Sequence, residues 1–560
     1  MNRESGIRNS GVRWWGWGYL DKTYPLEERP AFWPYLRRRL GLDGEEGLPV
    51  PDLDAIELRP PRLEERALAG LREIVGEENV STGKYDRLTH AYGKSYPDLV
   101  RLRKGQVENP PDVVVYPESE REVAAILRLA EEERLAVIPF GGGTSVVGGV
   151  EPLAGELRGA ISLDLRKLNA LLEVDEVSLT ATAQAGISGP ELEEALNRRG
   201  YTLGHFPQSF EFSTLGGWIA ARAAGQQSTK YGKIEDMVVS LVVVTPRGAM
   251  ATKRVPASAS GPDLDQLLVG SEGILGVITQ ATVIIRPLPQ VKDYRGLLFR
   301  DFGDGLEAIR EIMQRGVIPA TIRLSDEEET RAYVALQRPP VNWRKALKEK
   351  VGKAILTWRG YSLDSGCLMV LGLEGEEVEV KRERREALAI CRRHGGFHLG
   401  RGPGRGWYKE RFELPYLRDI LLSRGVMVIA LETATTWDNL EYLYRQVKKA
   451  IESAIEGMGV KPLVMTHASH VYRSGASLYY LILAKQLKGR ELEQWRAIKR
   501  AATECIVACG GTLSHHHGVG RDHAPWLVAE HGELGVEAIK ALKRALDPAG
   551  IMNPGKVLRL

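Results

Sequence analysis

Glycine gathers at three points of this 560-residue chain, each beside a run of strand-forming residues. Ala136-Val137-Ile138 leads into Pro139-Phe140-Gly141-Gly142-Gly143-Thr144-Ser145. Further on stands Ser213-Thr214-Leu215-Gly216-Gly217, and then Gly270-Ser271-Glu272-Gly273-Ile274-Leu275-Gly276 opens the apolar run Val277-Ile278. A turn free of Cβ atoms can aim several N–H groups at one spot and lets a ligand approach the backbone closely. The first loop, with hydroxyls at its end, can cradle a pyrophosphate. It is neither a Walker loop nor the G-x-G-x-x-G fingerprint.

Around these loops the chain reads as α+β. Val113-Val114-Val115-Tyr116 is a buried strand, and Ser119 with Glu122 has capping-box spacing at the start of a helix reaching about Arg134. Further strands are expected at 160–163, 180–183, 238–244 and 276–285. Past Pro289, strand-like runs (296–299, 368–371, 478–482) alternate with charged helices. The expected division is an N-terminal arm with a helical extension over 1–105, a cofactor domain over 106–290, a cap domain with an antiparallel sheet over 291–505, and a closing segment over 506–560. Trp14, Trp15, Trp17 and Tyr19 are expected to clamp the arm onto the body.

The net charge of +3 offers no argument for nucleic acid as a partner, and no Lys/Arg block changes that. The four cysteines make no disulfide framework, and Cys505 and Cys509 lack a second pair at zinc-ligand spacing. The charged start Met1-Asn2-Arg3-Glu4-Ser5 is followed by no apolar h-region, no apolar run has membrane-span length, and Val557-Leu558-Arg559-Leu560 is no peroxisomal address. A cytoplasmic protein is expected.

Near the C-terminus lies Ser514-His515-His516-His517-Gly518-Val519-Gly520. Imidazole titrates near neutrality, so three in a glycine-bracketed turn suit proton transfer. The plainer readings are a metal-binding tract or a solvated loop; no metal-ligand set accompanies the triplet, and no metal is expected.

The order Gly-Gly-Gly-Thr-Ser, Ser-Thr-Leu-Gly-Gly, Gly-Ser-Glu-Gly-x-Leu-Gly-Val-Ile resembles the PCMH-type FAD-binding domain of the vanillyl-alcohol oxidase superfamily. The resemblance implies FAD held by Pro139 to Ser145, by Gln208-Ser209-Phe210-Glu211-Phe212-Ser213-Thr214, by Gly216 and Gly217, by Ala221-Arg222-Ala223-Ala224, and by Glu272-Gly273-Ile274-Leu275-Gly276-Val277-Ile278. The first loop has no His or Cys, so the FAD is expected to be non-covalent. Arg13-Trp14-Trp15-Gly16-Trp17-Gly18, Gly204-His205-Phe206-Pro207, Ile322-Arg323-Leu324, Tyr416-Leu417-Arg418-Asp419, Glu432-Thr433 and the histidine triplet narrow the likeness to alkyldihydroxyacetonephosphate synthases over nearly the whole chain. Gln208, where that pattern has an acid, and Met465-Thr466-His467-Ala468-Ser469-His470-Val471-Tyr472 depart from it.

That family exchanges the acyl chain of an acyl-dihydroxyacetone phosphate for a fatty alcohol through chemistry at flavin N5, without net redox change. The resemblance implies Tyr479 as acid/base, His515, His516 and His517 as the histidine loop, Arg323 as an essential cation, His205 as a further site residue, and Arg418 as the contact to an anionic substrate group. Each also has a plain structural reading: Tyr479 as core, Arg323 paired with Asp326, Arg418 paired with Asp419 or Glu413. The rival function is an FAD-dependent D-2-hydroxy-acid dehydrogenase (D-lactate, glycolate or 2-hydroxyglutarate type) passing electrons to a separate acceptor. A non-enzymatic flavin-binding module is a third.

The expected partners are a lipid-like phosphate substrate and a second copy in a homodimer. Residues 343–358 form a basic amphipathic helix with Trp343, Leu347, Val351, Ala354, Ile355 and Trp358 on one face. Such a helix can lie on an anionic membrane surface, but packing of that face on the cap core is the favoured expectation.

Overall fold

The computed structural model describes residues 11–44 and 46–559; the charged start Met1–Ser5 and the final residue Leu560 lie outside the described residues. Three sheets carry the architecture. In the first, strands Leu135–Phe140 and Val113–Val115 flank Gly159–Asp164 in parallel, and Val80–Ser81 closes the edge antiparallel. All three parallel strands are largely apolar and buried, as strands covered on both faces are, with Ser162 and Asp164 the polar exceptions. Helix Glu120–Glu132 connects the first two by the βαβ crossover. The Ser119 hydroxyl accepts from Glu122 N–H, while the Glu122 carboxylate returns to Ser119 Oγ and Glu118 N–H.

The second sheet is antiparallel and five-stranded, in the order Leu171–Asp175, Thr180–Gln184, Val277–Ile284, Val238–Thr245, Gly248–Ala251. The third has seven antiparallel strands: Phe397–Gly400, Val291–Phe299, Cys367–Gly375, Thr321–Ser325, Leu463–Val471, Gly475–Lys485 and Val426–Thr436. One face of it packs on helices Trp437–Glu456 and Glu491–Ala508 through Leu478, Tyr480, Ile482 and Ala484, all fully buried or nearly so. The alternate residues therefore face the other way, toward the first two sheets.

The N-terminal arm is sealed against this cap sheet. Trp14 and Trp17 are buried, and Arg13 and the Trp17 N–H both bind the buried Asp419 carboxylate. After the histidine loop the chain returns to the first sheet, where Met552 bridges to Val137 and Asn553 Nδ2 donates to the Gly149 and Glu272 carbonyls.

Helix Trp343–Trp358 forms, but not where expected. Trp343, Leu347, Val351, Ile355 and Trp358 are all exposed, the two tryptophans at 70% and 78%, and only Leu356 is buried. The apolar face does not pack on the cap core. Period alone cannot say what covers a face. No helix among the described residues is long and apolar enough to cross a membrane.

Candidate active site

A cavity of about 550 Å³ lies between the three sheets. Its floor is the glycine loop at the end of strand Leu135–Phe140. A Cβ on Gly142 would stand 1.9 Å from the Phe212 carbonyl oxygen, and one on Gly141 2.3 Å from Thr214 Oγ1. The two glycine segments thus pack backbone against backbone, an approach no larger residue allows. Gly143 also sits at φ +62°. The N–H groups of residues 141–144 make no hydrogen bond among the described residues, and these residues line the cavity. A row of unpaired donors with no acidic side chain among them fits a diphosphate. Gly216, Gly217, Ala221, Ala223, Ala224, Gly273, Gly276 and Ile278 continue the wall, leaving width for a flat ring system.

The roof is the inward face of the cap sheet. Because alternate residues share a face, Arg323, Met465, His467, Tyr479, Leu481, Leu483 and Val428 all reach the cavity. Strand pairing sets them in rows. Glu432, Tyr479, His467 and Ser325 are successive cross-strand partners, and the neighbouring rows are Met465–Leu481 and Leu463–Leu483. One row is polar and the next two are apolar, so the cavity has a reactive end and a greasy limb.

In the polar row the rings of His467 and Tyr479 stack, 4.9 Å apart and 19° from parallel. His467 Nδ1 lies 3.0 Å from Glu329 Oε1, which also accepts from Arg323 Nη2 at 2.7 Å. Burial opposes ionisation of Glu329, but Arg323 and His467 beside it hold the carboxyl well below the usual range. Arg323 does not take Asp326, which instead caps helix Glu327–Ala335 and pairs with Lys448. Burial raises the Tyr479 phenol to about 12, with Arg323 pulling the other way.

The histidine loop is held at both ends by buried carboxylates. Glu432 accepts from Ser514 Oγ (2.6 Å) and from the N–H groups of His515 (2.6 Å), His516 (3.2 Å) and His517 (3.0 Å). Glu272 accepts from Val519 N–H (2.6 Å) and Gly520 N–H (2.9 Å). Burial alone would raise Glu432, but His517, His515 and Ser514 hold it well below the ordinary carboxylate range. Glu432, His515 and His516 lie close enough to suggest a metal. Three of the four donors converge on Oε1 and only the His515 N–H reaches Oε2, so the carboxylate serves the loop backbone chiefly through one oxygen. His516 and His517 line the cavity; His515 does not. His515 lies behind, with Nε2 2.6 Å from the Tyr472 hydroxyl and Nδ1 3.1 Å from His516 Nδ1. With Tyr472 donating, His515 Nδ1–H donates to His516, and His516 presents Nε2–H. Burial drives the pKa of His515 and His516 far down, so both are neutral.

Arg418 lines the cavity as a cation without a carboxylate. Its Nη1 donates to the Lys94 carbonyl (2.6 Å), while Nε and Nη2 are buried without partners among the described residues. Asp419 is occupied by the arm and Glu413 by Lys22, so neither takes Arg418. Lys94 lines the cavity too, and burial lowers its ammonium to about 8.

Several residues expected at the site are elsewhere. His205 is fully buried behind the wall, 4.7 Å from the Trp218 ring, and neither nitrogen has a hydrogen-bond partner among the described residues. Arg222 turns outward to the Val269 and Gln266 carbonyls. Glu211 binds Lys22 and Tyr416, fastening the arm, and Phe210 and Phe212 pack on Phe412 and on Trp17. Ile274, Leu275 and Val277 are core. Gln208 and Ser209 do reach the cavity.

Residues 111–253 match the FAD-binding domain model and residues 288–557 the model for FAD-linked oxidases, C-terminal domain. The protein is an FAD-dependent enzyme of the two-domain PCMH type. The alkyldihydroxyacetonephosphate synthase of Dictyostelium discoideum is 35% identical, covering 98% of this chain and 93% of that one; the Trypanosoma brucei brucei enzyme is 38% identical, covering 91% and 84%. A solved alkyldihydroxyacetonephosphate synthase superposes with a TM-score of 0.85 at 32% identity, covering 99% of both chains. The chain belongs to the alkyldihydroxyacetonephosphate synthase family.

Proposed function

We propose that the protein exchanges the acyl group of an acyl-dihydroxyacetone phosphate for a long-chain alcohol, releasing the fatty acid and leaving an ether. The observation that carries this is the join between a greasy limb and an unpaired buried cation in one cavity. Leu481, Leu483, Met465 and Val428 suit an alkyl chain, and the orphaned Nε and Nη2 of Arg418 suit a phosphate, to which Lys94 adds charge. The FAD is held non-covalently by the unpaired N–H groups of 141–144 and the small residues beyond them. When bound, it supplies a nucleophilic nitrogen, N5, to the substrate carbon.

The chain's residues then manage charge and protons. Arg418 orients the phosphate end. Tyr479 stands at the boundary between polar and apolar rows, where the substrate carbon must lie, and exchanges a proton there. His516 Nε2–H and His517 donate to oxygen atoms that gain charge. The hydroxy-acid reading uses Arg418 as well, but it has no use for the apolar limb.

Incubation of the yellow holoenzyme with palmitoyl-dihydroxyacetone phosphate and hexadecanol should yield the hexadecyl ether by mass spectrometry. Anaerobic bleaching of the flavin by D-lactate or D-2-hydroxyglutarate, with no ether formed, would overturn the reading.

The exposed face of helix Trp343–Trp358 supports contact with an anionic membrane, where both substrates partition. Its lysines suit acidic headgroups and its terminal tryptophans the interface. Wild-type protein should float with phosphatidylserine-containing liposomes, and the Trp343→Ala/Trp358→Ala variant should not. Failure of wild type to float removes this contact.

A further inference from the structure

His467 is a second cavity-lining imidazole group, distinct from the loop triplet and fixed by a different part of the fold. Its Nδ1 faces the Glu329 carboxylate, which is already bound to Arg323. An ionised carboxylate only accepts, so Nδ1 carries the proton and Nε2 is left as a bare lone pair. Nε2 makes no hydrogen bond among the described residues, and the residue lines the cavity. Strand pairing locates it along the chain-binding limb. His467 and Tyr479 form the last polar row, followed by Met465–Leu481 and Leu463–Leu483. An alcohol whose alkyl chain fills those two apolar rows ends with its hydroxyl at the His467–Tyr479 row.

We propose that Glu329 and His467 form a dyad in which His467 Nε2 takes the hydroxyl proton of the long-chain alcohol as its oxygen bonds to the substrate carbon. The alcohol O–H bond breaks, its electron pair stays on oxygen to make the ether bond, and an N–H bond forms on His467. Over the whole exchange the substrate carbon gives up its bond to the acyl oxygen, whose electron pair departs with the fatty-acid carboxylate, and the proton on His467 passes to solvent. Glu329 stabilises the imidazolium and Arg323 keeps Glu329 ionised. The groups facing His467 are Glu329, Arg323, Tyr479, His470 and His516. Burial and Arg323 lower the His467 pKa and Glu329 partly restores it, which leaves a neutral base at pH 7. Tyr479 remains the group that handles the proton on carbon, so the two halves of the exchange use different bases.

The proposal rests on the exchange reading, and two measurements separate the failures. In holoenzyme labelled with ring-15N histidine, the His467 signal, assigned by its loss in His467→Asn, should show protonated Nδ1 and bare Nε2 at pH 7. Glu329→Gln should alter that signal. A protonated Nε2 in wild type overturns the dyad whatever the substrate proves to be. In the ether assay, His467→Ala should lose about 10²-fold or more at saturating hexadecanol and regain part of it on adding imidazole, a rescue that a merely structural role would not give. Ether formation by His467→Ala at the wild-type rate overturns the dyad and leaves the exchange reading intact. No ether from wild type, with the expected tautomer present, overturns the exchange reading and the alcohol as the proton's source.

Discussion

Tyr479→Phe should lower ether formation by about three orders of magnitude, within the range removal of a positioned acid/base group produces, while the protein stays yellow and folded. The ring does not depend on its hydroxyl for position. It is fixed by the stack on His467, by pairing with Glu432 and His467 in the sheet, and by the edge contact with His517 at 5.7 Å. Phenylalanine keeps all of these. The hydroxyl has no hydrogen-bond partner among the described residues, so removing it strands no buried group. With the phenol at about 12 by burial, Tyr479 is protonated at neutral pH and serves first as a donor. It becomes a base only as the neighbouring Arg323 stabilises the phenolate. Arg323→Met should therefore push the phenol higher and move the basic limb of the pH–rate profile upward. Flavin absorbance per protein and the melting temperature should match wild type in Tyr479→Phe. A variant that retains a tenth of the wild-type rate would remove Tyr479 from the chemistry.

The parts of this molecule that are legible in the sequence share one property: their chemistry is local. Three glycine loops announce themselves because a backbone that must approach a ligand tolerates no Cβ, and the packing of Gly142 on Phe212 is that requirement made visible. Strands such as Val113–Val115 and Val238–Thr245 are apolar enough to be evident. What stayed hidden depends on register between distant segments. Nothing near His467 says that it faces Tyr479 on the next strand, or that Glu329 will reach it from a helix well over a hundred residues earlier. The short-range partner for Arg323, Asp326, is consumed as a helix cap, and the partner six residues on is the one in reach. Lys94 falls within the stretch expected as an N-terminal arm and helical extension, and nothing local marks it, yet the fold brings it to the cavity. His205 illustrates the converse. A histidine beside the right glycine looks exposed to a ligand, yet Gly204 at φ +78° turns it inward onto Trp218. The amphipathic helix at 343–358 has a clear period but no information about its cover.

Glu432→Gln should be the most damaging conservative change outside the reactive groups themselves. The wild-type carboxylate is ringed by four donors and no acceptor. An amide keeps its oxygen for the three donors that meet Oε1 and turns its NH2 group toward the His515 N–H, which must then find another partner. Hydrogen bonds to a charged group are worth roughly 1.5–3 kcal/mol each, and a buried donor left unpaired costs about as much. Loss of that one charge-assisted bond together with the stranding of its buried donor places the local cost on the order of 3–5 kcal/mol, enough for the loop to leave this conformation. His516 and His517 would then lose their place over the cavity, and ether formation should fall by at least about 10²-fold. The depressed Glu432 pKa gives the sign of the pH effect. Its stabilising contribution is complete above the ordinary glutamate value of about 4.3 and is lost only as the pH falls through the lower folded value, so wild type keeps the clamp throughout the neutral range. The variant lacks it at every pH, and raising the pH should not rescue it. Glu272 at the far end of the loop behaves differently, since burial lifts its carboxyl to about 7 against two backbone donors and the nearby Lys556. The Val519–Gly520 end is therefore expected to tighten between pH 6 and 8 while the Ser514–His517 end does not change. Hydrogen exchange of the loop amides measures both ends at once. Equal pH dependence at the two ends would contradict the separate carboxylate anchors, and wild-type exchange rates in Glu432→Gln would show that the four bonds do not hold the loop.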